Sequence, residues 1–176
     1  MRATKHPILK QKESDHQKII VAYLRAKYPK IKFSVNPFAG VTFRGMSKLQ
    51  KIKFIAEMKA QGWETGQPDI IINAQRGGYT NLAIELKKPE TYPFRIMETG
   101  WYWINKTTDR KSKERILIQA RYLDHLCGEG SLGMFIGGSS DAIKLIDAYL
   151  DERPLDVEKV AIHDGGVYLD IYKLID

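Results

Sequence analysis

Two short apolar runs, Ile70-Ile71-Ile72 and Leu82-Ala83-Ile84-Glu85-Leu86-Lys87, flank a segment that contains Gly77-Gly78. Branched apolar residues on both sides of a glycine turn signal read as the two strands of a hairpin. Side chains alternate along a strand, so Leu82, Ile84 and Leu86 take one face while Ala83, Glu85 and Lys87 take the other. Pairing around Gly77 or Gly78 sets Asp69 opposite Glu85 or Lys87, on their face. Two carboxylates and a lysine then converge at one end of the hairpin, beside the small Ala83. Unpaired charge in a core is costly, so three ionisable groups gathered there need a reason beyond packing.

The residue types supply one. Paired carboxylate oxygens, helped by a backbone carbonyl such as that of Leu86, suit a hard cation like Mg²⁺, which keeps several waters. Such a cation lowers the pKa of a bound water and offsets charge building on a phosphoryl group. Lys87, two residues from Glu85 on the same face, is placed to orient the water and stabilise the transition state. Glu-x-Lys alone is equally a surface ion pair on an amphipathic strand. Pro-Asp before one apolar run with Glu-x-Lys closing the next is a rarer combination, and it favours metal-dependent hydrolysis.

Pro68-Asp69 with Glu85-Leu86-Lys87 resembles the PD-(D/E)XK nuclease signature. Glu13-x-x-x-Gln17 upstream and Gln119 downstream make the chain similar to the VRR-NUC branch (virus-type replication-repair nucleases), over residues 10–150. The resemblance implies Mg²⁺- or Mn²⁺-dependent phosphodiester hydrolysis, with Asp69 and Glu85 as ligands and Lys87 as catalytic lysine. It also implies Glu13 as a ligand from the helix side, Gln17 as its polar support, and Gln119 facing the active site to position Lys87 or the water. Small members of that branch look phage- or prophage-like and are associated with structured DNA. The chain is therefore expected to be an endonuclease selective for branched, flap or junction DNA, acting in phage replication, recombination or repair. One departure from the compact family pattern is the long separation of Lys87 from Gln119.

Residues 1–12 are polar and basic with Pro7, and are expected to be a mobile arm. Residues 13–28 carry a helical pattern, with Gln17, Ile20, Val21 and Leu24 on one face. Glu13 has two readings: one turn earlier on that face, or just outside a helix capped by Ser14 with Gln17 bonding back. A strand over 31–35 follows. Ser47 is expected to cap a helix over 48–60, ended by Gly62, with Leu49, Ile52, Ile55 and Ala56 as its apolar stripe. Lys48 and Lys51 sit off the stripe, available to phosphates or to solvent. Pro89 and Pro93 open an insertion, 90–115, holding Trp101-Tyr102-Trp103 and then Lys106, Arg110, Lys111, Lys113 and Arg115. Such a run reads as a mobile loop facing DNA, its aromatics stacking bases or packing the insertion down.

A helix over 113–127 places Gln119 with Tyr122, Leu123 and Leu126 on an apolar face, where a glutamine needs a partner. A strand (132–136), a glycine-serine turn and cap (137–140) and a helix (142–150) complete the pattern. Residues 157–162 and 167–174 read as a hairpin that pairs with a sheet edge or a second subunit. These elements predict an α/β (α+β) fold: a restriction-endonuclease-like αβββαβ core, its mixed central sheet flanked by helices, plus a C-terminal β-hairpin. The expected division is a nuclease domain over 13–152 and a hairpin extension over 153–176.

Charge agrees with a polyanionic partner. Residues 1–60 hold 14 Lys or Arg against 3 Asp or Glu, whereas residues 141–176 hold 4 against 9. A basic face for DNA and an acidic part turned elsewhere is the implied arrangement. The single Cys127 staples nothing within the chain and fits a reducing cytoplasm. No run suits a membrane span or signal peptide, and no motif cradles a small-molecule cofactor. A junction substrate would call for two active sites, hence a homodimer. Two alternatives share the fold: a nucleic-acid-binding protein that does not cut, and a nuclease acting on RNA.

Overall fold

A computed structural model describes residues 12–36, 45–89, 94–96, 102–104, 109–164 and 167–174. In order these form α1 (Glu13–Lys27), β1 (Phe33–Val35), α2 (Lys48–Ala60), β2 (Ile70–Ile72), β3 (Leu82–Lys87), β4 (Phe94–Ile96) and β5 (Tyr102–Ile104). α3 (Arg110–Gly128), β6 (Leu132–Gly137), α4 (Gly138–Leu150), β7 (Val157–Asp164) and β8 (Val167–Leu174) follow. Among the described residues eight strands form one mixed sheet, ordered β1-β2-β3-β6-β8-β7-β5-β4. β1, β2 and β3 are antiparallel neighbours, and β3 runs parallel to β6. The turn between β2 and β3 closes at an Arg76–Tyr79 bridge, with Gly77 and Gly78 both at positive φ, a region that glycine enters freely.

β3 is buried along its whole length, and its alternation divides the core. Leu82, Ile84 and Leu86 join Ile20 and Leu24 of α1 and Leu145 of α4 in one apolar cluster. Ala83 points the other way, into a second cluster with Ile116, Ala120 and Leu123 of α3. Helices therefore cover both faces, and the predicted αβββαβ core is present. β8 pairs with β6, and β7 pairs with β8, so the acidic hairpin is built into the sheet. Among the described residues no helix is long and apolar enough to cross a membrane.

Several expectations need correction. The insertion is not a loop throughout: β4 and β5 pair with each other, and β5 joins the sheet through Tyr102 beside Ile162. α3 begins at Arg110, capped by Asp109, whose carboxylate accepts the Ser112 N–H at 3.1 Å. Arg110, Lys111, Lys113 and Arg115 thus stand on helix, while Trp101 and Lys106 lie outside the described residues. Ser14 does not cap α1. The Asp15 carboxylate takes the Lys12 N–H at 3.0 Å, a placement favoured by the helix dipole, and Glu13 is the first helical residue. Residues 1–11, and 37–44 before α2, lie outside the described residues.

α2 starts at Ser47 as expected, but its stripe does not pack: Leu49 is 62% and Ile52 54% exposed, and no residue of α2 is buried. The sheet faces are already taken by α1 and α4 on one side and α3 on the other. Residues 137–140 are not a turn, because α4 follows β6 directly with Gly138 at φ +82°. A Cβ on Gly138 would fall 2.8 Å from the Pro89 ring, so this junction requires glycine.

Ile84 is fully buried in the central strand. Ile84→Ala is expected to lower the free energy of unfolding by about 2–5 kcal/mol, through lost burial and the cavity left behind. Urea unfolding monitored by circular dichroism would measure it.

Candidate active site

β2 and β3 carry the acidic pair because of their register. Ile70 pairs with Ile84, so one step further Asp69 stands opposite Glu85. Odd-numbered residues of both strands face α3, which turns both carboxylates to that side. The loop before Asp69 is pressed onto the same helix. Gly66 has φ +95°, and a Cβ there would come within 2.9 Å of the Ile118 carbonyl oxygen. This close approach ties the strand of Asp69 to the helix of Gln119.

Asp69, Glu85, Lys87 and Gln119 are all buried, Glu85 to within 2% exposure. Asp69 Oδ2 accepts the Leu86 N–H at 2.8 Å. Lys87 Nζ donates to Glu85 Oε1 at 2.7 Å and to the Leu86 carbonyl at 3.2 Å, and lies 5.4 Å from the centre of the Phe135 ring. Gln119 Nε2 donates to the same Glu85 Oε1. Among the described residues, Glu85 Oε2 and Gln119 Oε1 are buried with no hydrogen-bond partner. The sequence-predicted quartet is thus one connected group that leaves two oxygens unsatisfied.

Burial dominates the electrostatics. It pushes the Glu85 carboxyl up to about 8, with the Asp69 charge adding to the effect, while Lys87 and Arg115 oppose it. The Asp69 carboxyl is raised as well, first by burial and also by Glu13, against Lys87, the Leu86 N–H and Arg115. Removing two carboxylates from water beside one ammonium therefore leaves the site short of positive charge.

The supporting residues divide. Gln17 Nε2 donates to the Asp69 carbonyl at 3.1 Å and lies 3.4 Å from that of Asn36, fixing α1 against the start of β2. Glu13 is half-buried and its charge reaches Asp69. Among the described residues no three His, Cys, Asp or Glu side chains are already gathered into a group able to hold a metal ion. Lys48, Lys51, Arg110, Lys111 and Lys113 make no bond to the quartet among the described residues. Arg110 instead pairs with Glu114 at 3.0 Å.

Sequence reasoning missed His16. It is buried, and its Nδ1 accepts the Ser139 N–H at 3.1 Å, locking α1 to the first turn of α4 and so setting which face Glu13 and Gln17 present. No periodic signal marks it, because a histidine between polar neighbours reads as surface. Burial pushes the Cys127 thiol up to about 11, which favours its protonated form near neutral pH.

No family model matches the sequence. No curated protein matches it either. Among solved structures, one described as a "VRR_NUC domain protein" superposes with a TM-score of 0.52 at 19% identity, covering 81% of this chain and 90% of its own. The likeness is one of fold, and the chain adopts a VRR-NUC-like fold as its motifs led one to expect.

The Glu85 shift has a signed consequence. Unfolded, the carboxyl loses its proton near 4.5; folded and metal-free, it holds it to about 8. The native state binds more protons across that interval, so stability falls as pH rises through it. Glu85→Gln is expected to flatten this decline, and to make the protein more stable than the parent at the alkaline end. Urea midpoints measured in EDTA across the interval would show it.

Proposed function

We propose that this protein is a metal-dependent endonuclease that hydrolyses phosphodiester bonds in DNA. The observation carrying the reading is the buried Glu85 Oε2, without a partner among the described residues, in a group that also holds Asp69, Lys87 and Gln119. A carboxyl oxygen left unsatisfied in a core is destabilising on its own. A divalent cation would relieve it, and the oxygen-only donor set fits Mg²⁺ or Mn²⁺.

Asp69 and Glu85 would hold the cation, with the Leu86 carbonyl as a further oxygen and waters filling the remaining positions. When bound, the cation supplies an activated water and charge neutralisation on the phosphoryl group. The protein does the positioning. The Leu86 N–H fixes the Asp69 carboxylate, and Gln119 fixes Glu85 from α3. Lys87, held between Glu85, the Leu86 carbonyl and the Phe135 ring, presents an ammonium where negative charge develops as water attacks phosphorus and the P–O ester bond breaks. Selectivity for branched, flap or junction DNA is part of the proposal, supported by the VRR-NUC-like fold and motifs. A junction cut on two strands would take two copies of the site, hence a homodimer.

Cleavage of duplex, single-stranded, flap and four-way-junction DNA, with RNA alongside, tests the reading in Mg²⁺, Mn²⁺ or EDTA. Cutting is expected with either metal and not in EDTA. Lys87→Ala, which leaves both carboxylates in place, is expected to lower kcat by roughly 10²-fold or more. Binding without cutting, unchanged in Lys87→Ala, would replace the proposal with a non-catalytic binding protein. A preference for RNA would move the substrate class.

A further inference from the structure

α3 carries four basic residues over its first two turns, and one of them is set apart by position. Arg115 lies one helical turn before Gln119, and residues four apart on a helix stand side by side on one face. Gln119 reaches Glu85 from that face, so Arg115 stands on the side of α3 turned toward the acidic group. It is exposed, and among the described residues it makes neither a hydrogen bond nor an ion pair. Arg110, by contrast, is engaged by Glu114. The Arg115 charge is felt at both Asp69 and Glu85, and it lowers the carboxyl pKa of each.

Among the described residues this guanidinium, beside two buried carboxylates, has no structural partner to serve. Its planar fork matches a phosphate, which it can hold through two parallel hydrogen bonds. From the geometry we infer that Arg115 is a substrate-binding residue, which grips a backbone phosphate flanking the scissile one. Lys111, a further turn along the same face and also exposed, extends the track. The nucleic acid backbone then runs along the N-terminal half of α3 toward Gln119. This rests on the nuclease reading above, and assigns that site the path by which its substrate enters.

The test uses binding in EDTA, so that it does not depend on cleavage. Fluorescence anisotropy of a short fluorescein-labelled DNA duplex would be followed over a salt series for the parent and for Arg115→Gln, Arg115→Lys and Lys144→Gln. Lys144→Gln is a charge-matched control on α4, across the sheet. Arg115→Gln is expected to weaken binding roughly tenfold and to reduce the slope of log K against log salt by about 0.9. Arg115→Lys should restore the slope but only part of the affinity, because the charge returns without the fork. A purely structural role would change neither slope nor its recovery. If the parent binds and Arg115→Gln matches Lys144→Gln in affinity and slope, the assignment of Arg115 falls while the nuclease reading stands. If the parent binds no DNA at any salt concentration, both fall.

Discussion

An ion pair inside the most buried strand of the sheet is the constraint that the rest of the structure answers. Desolvating a carboxylate and an ammonium costs several kcal/mol per ion, and mutual attraction repays this only when the remaining donors and acceptors are filled. β3 places Glu85 and Lys87 in that position, and neighbouring elements each contribute a compensating contact. α3 brings Gln119, β6 brings the Phe135 ring, and the backbone of β3 itself serves Asp69 and Lys87. α1 secures Asp69 from behind through Gln17. Compensation stops short of completion at Glu85 Oε2. Two unsatisfied oxygens, Glu85 Oε2 and Gln119 Oε1, gathered among the described residues beside a buried carboxyl pair have the character of a prepared site.

The hairpin and its chemistry were legible because both signals are local. Period-two alternation fixed the faces of residues 82–87, and the glycine pair set the register that puts Asp69 across from Glu85. Gln119 was legible for a related reason: a polar residue on an apolar helical face must have a partner, and helical spacing locates the face. The unsatisfied oxygens could not be read this way, since they depend on the distances of atoms from three elements.

Other features depended on distant residues. Residues 94–96 and 102–104 are strands because β7 offers an edge far downstream, and nothing within 90–115 announces it. The stripe of Leu49 and Ile52 was a sound sign of helix but carried no information about which surface remained free to cover. His16 illustrates the converse, a polar residue drawn inward by Ser139, which lies on a different helix. Arg115 was visible only as one charge in a run until α3 was seen to begin at Arg110, which gave each of those charges a direction.

The order of strands has a consequence for how the sheet is assembled. β4 and β5 form the edge beyond β7, yet they precede β6, β7 and β8 along the chain. During synthesis this early segment has no neighbour to dock on until the acidic hairpin emerges and pairs with β6. Until then its strand edge is open, and α3 lacks the surface of β8 that belongs beneath it. A segment made later is thus the bridge that lets an earlier one find its place, so the active-site half and the far edge of the sheet mature at different times.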